Sequence, residues 1–394
     1  MIETTARLAL VLASVLCVGW TIVLVHVWRT IGAMRRLPPT AVEDARRFRA
    51  TALVAARNEA AGIEEAVRSL LASEGLELEV IVVDDNSEDG TKTILDRIAK
   101  EDARLLVLET KKIPPGWIAK NYAMELAQGR AKGEYLLFTD ADVVHGPRAL
   151  FNAVAVMQNE RLDHLAVQPR MEAGSLVEAL VLPLFVLLCQ IRFLDPRAAK
   201  PDSGVGTGIG AFNLVRADAY RLRGTHARIR GSMLDDRALG HMMREDGGRG
   251  SVMRAVAQVR LRPYRSLAEL YTGIRKTVLA TFGNSAILTA FMGSVLLFAA
   301  TAPALLVVAS LPLYLAGHVP WVIAPALLAA LLPLAGLLKA RTMLRFEPLA
   351  ALLFPIGALV IAASALHAAA VFGTRGTIEW RGRQYSRGDL RNQG

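Results

Sequence analysis

Two aspartates one residue apart, Asp140 and Asp142, end an apolar run that begins at Tyr135, with only the small Ala141 between them. Alternate side chains of an extended strand share a face, so the two carboxylates are expected to converge on one point. Like charges that close raise each other's pKa unless a cation lies between them, and hard oxygen ligands suit Mg2+ or Mn2+. More charged residues stand at comparable places: Arg57-Asn58-Glu59 after the run 51–56, Asp84-Asp85 opening "DDNSEDGT" after 79–84, Lys120-Asn121 after the loop "PPGW", and Asp235-Asp236 in "GSMLDDRALGHMM". Each alone has an ordinary reading, as a helix cap, a solvated helix start or a charge complementing a helix dipole. Those that follow the apolar runs, at 57–59, 84–91 and 140–142, stand at successive strand ends and read together as one site.

The elements that must carry these residues alternate. Apolar runs at 51–56, 79–84, 104–109, 134–139 and 164–169 read as strands. Segments 60–73, 91–100, 120–128 and 147–158 read as helices from their apolar spacing or their place between strands. Such alternation predicts parallel crossovers and an α/β, doubly wound sheet over residues 48–280. Ligands in such sheets bind beyond the carboxyl ends of the strands, where the charged turns lie.

A nucleotide-sugar suits that edge. Base and ribose need hydrogen-bond acceptors, which Asp84 can supply; a diphosphate needs a divalent cation, which Asp142 can hold. The ordered set "VAARNE", "VIVVDDNSEDGT" and "LLFTDADV" resembles the GT-A domain of family 2 inverting glycosyltransferases, a Rossmann-like mixed sheet, over residues 50 to about 280. The resemblance implies that Ala56, Arg57, Glu59, Asp84 and Asp85 bind the donor. It also implies that Asp140 lies near the ribose and diphosphate and that Asp142, with Asp140 beside it, holds the metal. Lys120 is expected to meet phosphate beside a helix N-terminus. The W-x-x-K-N-x-A stretch from Trp117 to Ala123 is similar to the lipid-directed branch of that family, the hopanoid-associated, carotenoid and ceramide glycosyltransferases.

The same resemblance makes Asp236 the general base that takes a proton from the acceptor hydroxyl, with Asp235 beside it. The family pair is usually Glu-Asp, so Asp-Asp is a departure. In "GVGTGIGAFNLVR", Gly206-x-Gly208-x-x-Ala211 loosely matches a dinucleotide fingerprint. It follows no strand and precedes one, so that reading fails. By resemblance a small-residue loop, here with Gly208 and Gly210, backs the sugar pocket; a surface loop is the plain alternative. "QVRLRPY" keeps Gln258 and Arg262 of a Q-x-x-R-W acceptor motif but lacks the Trp, so processive synthesis is not expected. Arg262 is expected at the acceptor or against lipid headgroups.

The chain is 53% hydrophobic, 21% charged and carries a formal net charge of +10. Its apolar residues cluster in segments long enough to cross a bilayer. Residues 1–30 read as an uncleaved anchor; Arg29, Arg35, Arg36, Arg46, Arg47 and Arg49 follow it, which puts what comes after in the cytoplasm. The basic residues follow the run and no cleavage site ends it, unlike a signal peptide. Runs at 286–317, 319–338 and 349–372 make 284–373 a membrane region of three or four spans. Residues 374–394 form a basic tail with Arg381, Arg383, Arg387 and Arg391, and "EWRGRQY" within it resembles tails of lipid glycosyltransferases, which implies a cytoplasmic tail and four spans. The segment 175–195 carries Glu178, Pro183, Gln190 and Arg192 and reads as an interfacial or re-entrant helix. Cys17 and Cys189 have no disulfide or zinc spacing. His145, His226 and His241 share no ligand spacing and read as structural.

These features together lead us to expect a multi-pass enzyme of the cell (inner) membrane with a cytoplasmic catalytic domain. It would move a sugar from a nucleotide-sugar to a hydroxyl or carboxyl of a lipid or isoprenoid acceptor. A polyprenyl phosphate acceptor is the runner-up. A transporter or scaffold with a degenerate domain would need ionisable residues inside the membrane, and the apolar runs offer little beyond His26 and His367. Nucleic acid is not an expected partner, because the arginines flank membrane segments.

Overall fold

The computed structural model describes residues 2–39, 48–315, 317, 320–346 and 348–390; Arg46, Arg47, Val319 and Arg391 of the charge and span readings lie outside them. The chain divides into two compact units. One comprises Met1–Gly32, Ala173–Leu194 and Tyr264–Arg375, the other Ala33–Glu172, Asp195–Pro263 and Gly376–Gly394.

The second unit is built on strands β1 (Arg49–Ala56), β2 (Glu77–Asp84), β3 (Leu105–Glu109), β4 (Tyr135–Asp140), β5 (Val143–His145), β6 (His164–Gln168), β7 (Arg170–Glu172), β8 (Asn213–Arg216), β9 (Gly250–Arg254) and β10 (Val259–Leu261). Seven of them form the main sheet in the order β3-β2-β1-β4-β8-β6-β9. β1 pairs parallel with β2 and β4, and β2 with β3. β8 enters antiparallel between β4 and β6, and β9 is parallel to β6. The sheet is thus mixed: the first four strands follow the parallel expectation, while a strand from much later in the chain takes the place beside β4.

Both faces of this sheet are covered, which is why its strands read as continuous apolar runs. Ala52, Val54, Val80, Val82 and Leu137 pack with Ile63 and Val67 of one helix (Ile63–Leu71) and Leu95 and Ile98 of another (Thr91–Glu101). Their strand neighbours Leu53, Ile81, Val83, Leu136 and Phe138 pack on the other face with Ala123, Met124, Tyr220 and Leu239. In a smaller sheet β10 pairs antiparallel with β5 and parallel with β7. Asp140 is the last residue of β4, Ala141-Asp142 form a turn, and Val143 opens β5. The two aspartates are therefore brought together by a turn between two sheets, not by alternation along one strand.

The first unit is helical: Ile2–Ala33, Leu176–Phe193, Leu267–Thr281, Ala286–Leu315, Pro320–Ala340 and Phe354–Arg375. All but Leu267–Thr281 provide a stretch long and apolar enough to cross a membrane. Of the run 286–317, Ala286–Leu315 is one helix through Pro303 and Pro312, leaving three long helices in the C-terminal region among the described residues. Val11, Val15, Val18 and Ile22, three or four residues apart on the first helix, are all more than 60% exposed. A stripe of that kind is costly in water and favourable against lipid. Within this unit Trp20 Nε1 donates to the carbonyl of Ala299 (3.1 Å) and His26 Nε2 to that of Leu194 (3.2 Å). Leu176–Phe193 opens on a capping box: Ser175 Oγ accepts the Glu178 N–H, while the Glu178 carboxylate accepts the Gly174 N–H and the Ser175 hydroxyl. That accounts for a buried glutamate at an apolar helix start.

Candidate active site

The turns after β1 and β2 are laced together. Asn58 Oδ1 accepts the Glu88 N–H (2.8 Å), Thr91 Oγ1 the Glu59 N–H (2.8 Å), and Asp89 Oδ2 the Ala60 N–H (2.9 Å). Asp89 also accepts the Thr91 N–H (3.1 Å), so it serves the fold, as the ordinary reading of this loop holds. Asp84 is different. It is buried at the end of β2; its Oδ2 accepts the Ser87 N–H (3.2 Å), whereas its Oδ1 is buried with no hydrogen-bond partner among the described residues. Such an atom is an acceptor for a ligand N–H or hydroxyl. Ala56, the last residue of β1, sits opposite Asp84 in the sheet register. The Asp85 carboxylate is already used: it accepts from the Thr110 hydroxyl and from Arg383 Nη2 (2.8 Å). Arg57 Nη1 donates to the Asp85 carbonyl (2.7 Å).

The other half of the site centres on Lys120, in the first turn of the helix Ala119–Gln128. Its Nζ lies 2.7 Å from Asp140 Oδ1 and 2.9 Å from Asp235 Oδ2. Burial disfavours the ammonium, yet the Asp140 and Asp235 carboxylates outweigh it and raise the Lys120 pKa. One cation thus ties the aspartate turn to the second acid pair. Asn121, fully buried beside it, donates through Nδ2 to the carbonyls of Ile229, Arg230 and Ser232 (2.9–3.1 Å). These carbonyls belong to the segment leading into the helix Asp235–Met242, so Asn121 sets where that helix begins. Sequence reasoning gave Asn121 no role.

Asp236 Oδ2 accepts the Gly210 N–H (3.0 Å) and its Oδ1 the Arg237 N–H (2.8 Å). Burial, then Asp235, push Asp236 up to about 6, against the pull of Lys120. A carboxylate in that range is a better proton acceptor than an exposed aspartate and is still ionised near neutral pH. The glycine loop packs on the same helix. A Cβ at Gly208 would collide with the Asp236 carbonyl, and one at Gly206 with the Gly240 carbonyl, so close backbone packing is what excludes side chains there. Gly210 alone of the three borders an acid's carboxylate: a Cβ would lie 2.7 Å from Asp140 Oδ2.

Asp142 is partly exposed and close to Asp140 and Glu59. Burial first, then those two acids, push it up to about 7, against the opposing guanidinium of Arg381. Among the described residues no group of three or more His, Cys, Asp or Glu is arranged to hold a metal. One or two carboxylates plus substrate phosphates is nevertheless the usual way a Mg2+-type ion sits in a nucleotide site. Asp142 and Asp140 fit an ion shared with a diphosphate, not a cage the protein closes alone. Arg262 stands half-buried one residue past β10. Its neighbour Leu261 lies opposite Val143, the residue that follows Asp142. His145 and His226 are buried and neutral, packed against Phe212 and Phe138 respectively.

The C-terminal tail, read from the sequence as basic and as resembling the tails of lipid glycosyltransferases, folds into this unit as a hairpin, Thr377–Trp380 with Arg383–Ser386. Arg381 forms an ion pair with Glu59 and Arg383 one with Asp85. The "WRGR" spelling carries a turn signal, but nothing local links it to positions 59 and 85.

Residues 51–221 match the family model "Glycosyl transferase family 2". A β-monoglucosyldiacylglycerol synthase of Trichormus variabilis is 36% identical over 120 residues, 30% of this chain and 25% of that protein. A second one, of Nostoc, is 32% identical over 160 residues, 40% of this chain and 33% of that protein. The succinoglycan biosynthesis protein ExoO of Rhizobium meliloti is 38% identical over 92 residues, 23% of this chain and 25% of that protein. The chain spans between a quarter and a third of the length of the curated relatives it matches. Among solved structures, the mannosyltransferase PcManGT from Pyrobaculum calidifontis, in complex with GDP-Man and Mn2+, aligns with a TM-score of 0.53 at 21% identity, over 93% of this chain and 98% of that one. Residues 51–221 are thus similar to glycosyl transferase family 2, and they lie on a mixed α/β sheet of the GT-A type.

Proposed function

We propose that this chain is a membrane-bound inverting glycosyltransferase. It transfers a sugar from a nucleotide-sugar to a hydroxyl or carboxyl of a lipid or isoprenoid acceptor at the cytoplasmic face of the cell membrane, with Mg2+ or Mn2+. The observation that carries the reading is Lys120 clasped between Asp140 and Asp235, which gathers acids from distant parts of the chain into one cluster. Asp84 offers its free Oδ1 to the nucleoside, with Ala56 opposite and Arg57 and Glu59 on the next turn. Asp236, oriented by the Gly210 and Arg237 N–H groups, takes the proton from the acceptor oxygen. A divalent ion held by Asp142 and Asp140 would supply charge to the departing diphosphate. Displacement in line, with Asp236 opposite the leaving nucleotide, inverts the anomeric centre. Gly208 and Gly210 keep the loop backbone close to the acids, and Arg262 borders the acceptor side.

Support for a lipid acceptor comes from the long apolar helices and from relatives named for a glucosyldiacylglycerol product. Chain tracing supports a membrane arrangement. β6 precedes Leu176–Phe193, and β8 and β9 follow it in the same sheet, so that helix returns to the side it left. The tail hairpin bonds to Glu59 and Asp85, so an even number of crossings separates Pro263 from Gly376. An even number of crossings accords with the four spans that the tail implies. The test is to incubate membranes containing the protein with labelled nucleotide-sugars, with and without EDTA, and to follow label into the organic extract. Metal-dependent label in lipid, lost in Asp142→Ala, is expected; label in water-soluble polymer, or none with any donor, would refute the proposal.

A further inference from the structure

The proposed reaction leaves the C-terminal hairpin without a role. Trp380 pairs with Arg383 around a two-residue turn, Arg381-Gly382. Both turn residues have positive φ, 49° and 72°, as a primed hairpin turn requires. Asn-Gly satisfies that turn most easily; an arginine is an uncommon occupant, and such outliers persist where the surroundings hold them for a purpose.

The surroundings here are the donor edge. Besides its ion pair with Glu59, Arg381 donates from Nη1 to the Arg57 carbonyl (2.8 Å), and Arg57 Nε donates back to the Arg381 carbonyl (2.9 Å). Arg383 Nη2 donates to Asp85 Oδ1 (2.8 Å). The Tyr385 hydroxyl accepts the Ala119 N–H (3.4 Å), at the start of the Lys120 helix. The hairpin therefore reaches the turn after β1, the turn after β2 and the helix that holds the acid cluster. Among the described residues, Arg383 Nε, a donor, and Asp84 Oδ1, an acceptor, remain buried without a partner beside these contacts. A segment that merely filled the pocket would satisfy the groups it covers. This one leaves unmet a donor suited to an anionic oxygen and an acceptor suited to a nucleobase N–H or sugar hydroxyl.

We propose that Arg381 and Arg383 are donor-binding residues, and that the hairpin is a clamp whose two guanidinium groups meet the phosphate oxygens of a nucleoside diphosphate at the ends of β1, β2 and β4. The planar guanidinium fork matches phosphate geometry. Glu59 and Asp85 hold the two forks in position beforehand, which lowers the ordering cost on binding. The inference rests on the reading of this pocket as a nucleotide-sugar site.

Calorimetric titration of the full-length, detergent-solubilised protein with UDP and GDP, and with uridine and guanosine, tests it. Wild type is expected to bind at least one diphosphate. Arg381→Ala and Arg383→Ala are expected to weaken that binding roughly tenfold or more, and Arg381→Lys less, with little change for the matching nucleoside. Should an alanine variant fail to fold, as a thermal melt would reveal, Arg381→Lys carries the comparison. Equal or tighter diphosphate binding in Arg381→Ala would overturn the clamp. Equal losses for nucleoside and diphosphate would do the same, as the mark of a merely structural hairpin. Wild type that binds no diphosphate would overturn both the clamp and the nucleotide-sugar reading beneath it.

Discussion

Asp140 and Asp236 face each other across Gly210, whose N–H donates to Asp236 Oδ2 at 3.0 Å and whose Cβ position lies 2.7 Å from Asp140 Oδ2. A single hydrogen atom in place of a methyl group lets the two acids, which the proposed function gives to donor and acceptor, come this close.

Replacing that hydrogen should be costly. Gly210→Ala forces Asp140 or the loop to move, and a shift on the order of 1 Å at such a centre is worth roughly 100-fold in rate. Gly129→Ala, with only ordinary contacts of 3.5 Å and more at its Cβ, is the control and should leave turnover unchanged. Comparing kcat of the two variants checks this; equal rates would remove Gly210 from the site.

Asp236→Asn keeps the shape and removes the base. Transfer to lipid should fall by about 100-fold or more, while nucleoside diphosphate binding persists. A variant that transfers normally would point instead to an acceptor that is already ionised, such as a polyprenyl phosphate.

Asp236 also sets a pH dependence. With its pKa raised to about 6, the base form is present above that pH and is lost below it. The rate at saturating donor should therefore rise with pH through about 6 and then level. A profile flat down to about pH 4, the ordinary carboxylate range, would exclude Asp236 as the base.

Buried histidines make the catalytic unit acid-sensitive. Burial holds His145 at about 3, and His164 and His226 at about 4. The unfolded chain takes up protons at these residues below about 6.5, while the native one does not. Stability is thus intact above about pH 6.5 and declines as pH falls toward 4, by up to roughly 3 kcal/mol for His164 or His226 alone. Asp142 and Asp236, raised to about 7 and about 6, take up protons in the native state and oppose this loss, so thermal melts of the solubilised Asp142→Asn, Asp236→Asn protein should show Tm dropping between about pH 7 and pH 5; a constant Tm there would contradict the burial described.

The main sheet was legible because strands covered on both faces spell continuous apolar runs such as "EVIVVD", and because helices separate them. The sites at 57–59, 84–85 and 140–142 followed from the rule about strand ends. The insertion of β8 between β4 and β6 was not legible, since a four-residue strand carries no record of its partners. Nor was the packing role of Gly206 and Gly208, which depends on a helix backbone some thirty residues away. The Arg381–Glu59 pairing joins opposite ends of the chain and leaves only a hairpin-turn spelling behind.

The most direct measurement is nucleoside diphosphate affinity, with and without Mn2+ or Mg2+, in wild type and Asp142→Ala. Binding in wild type should tighten by roughly tenfold or more when the ion is added, and that gain should vanish in Asp142→Ala. A gain that survives the substitution, or no gain in wild type, would contradict a cation shared between Asp142 and the diphosphate.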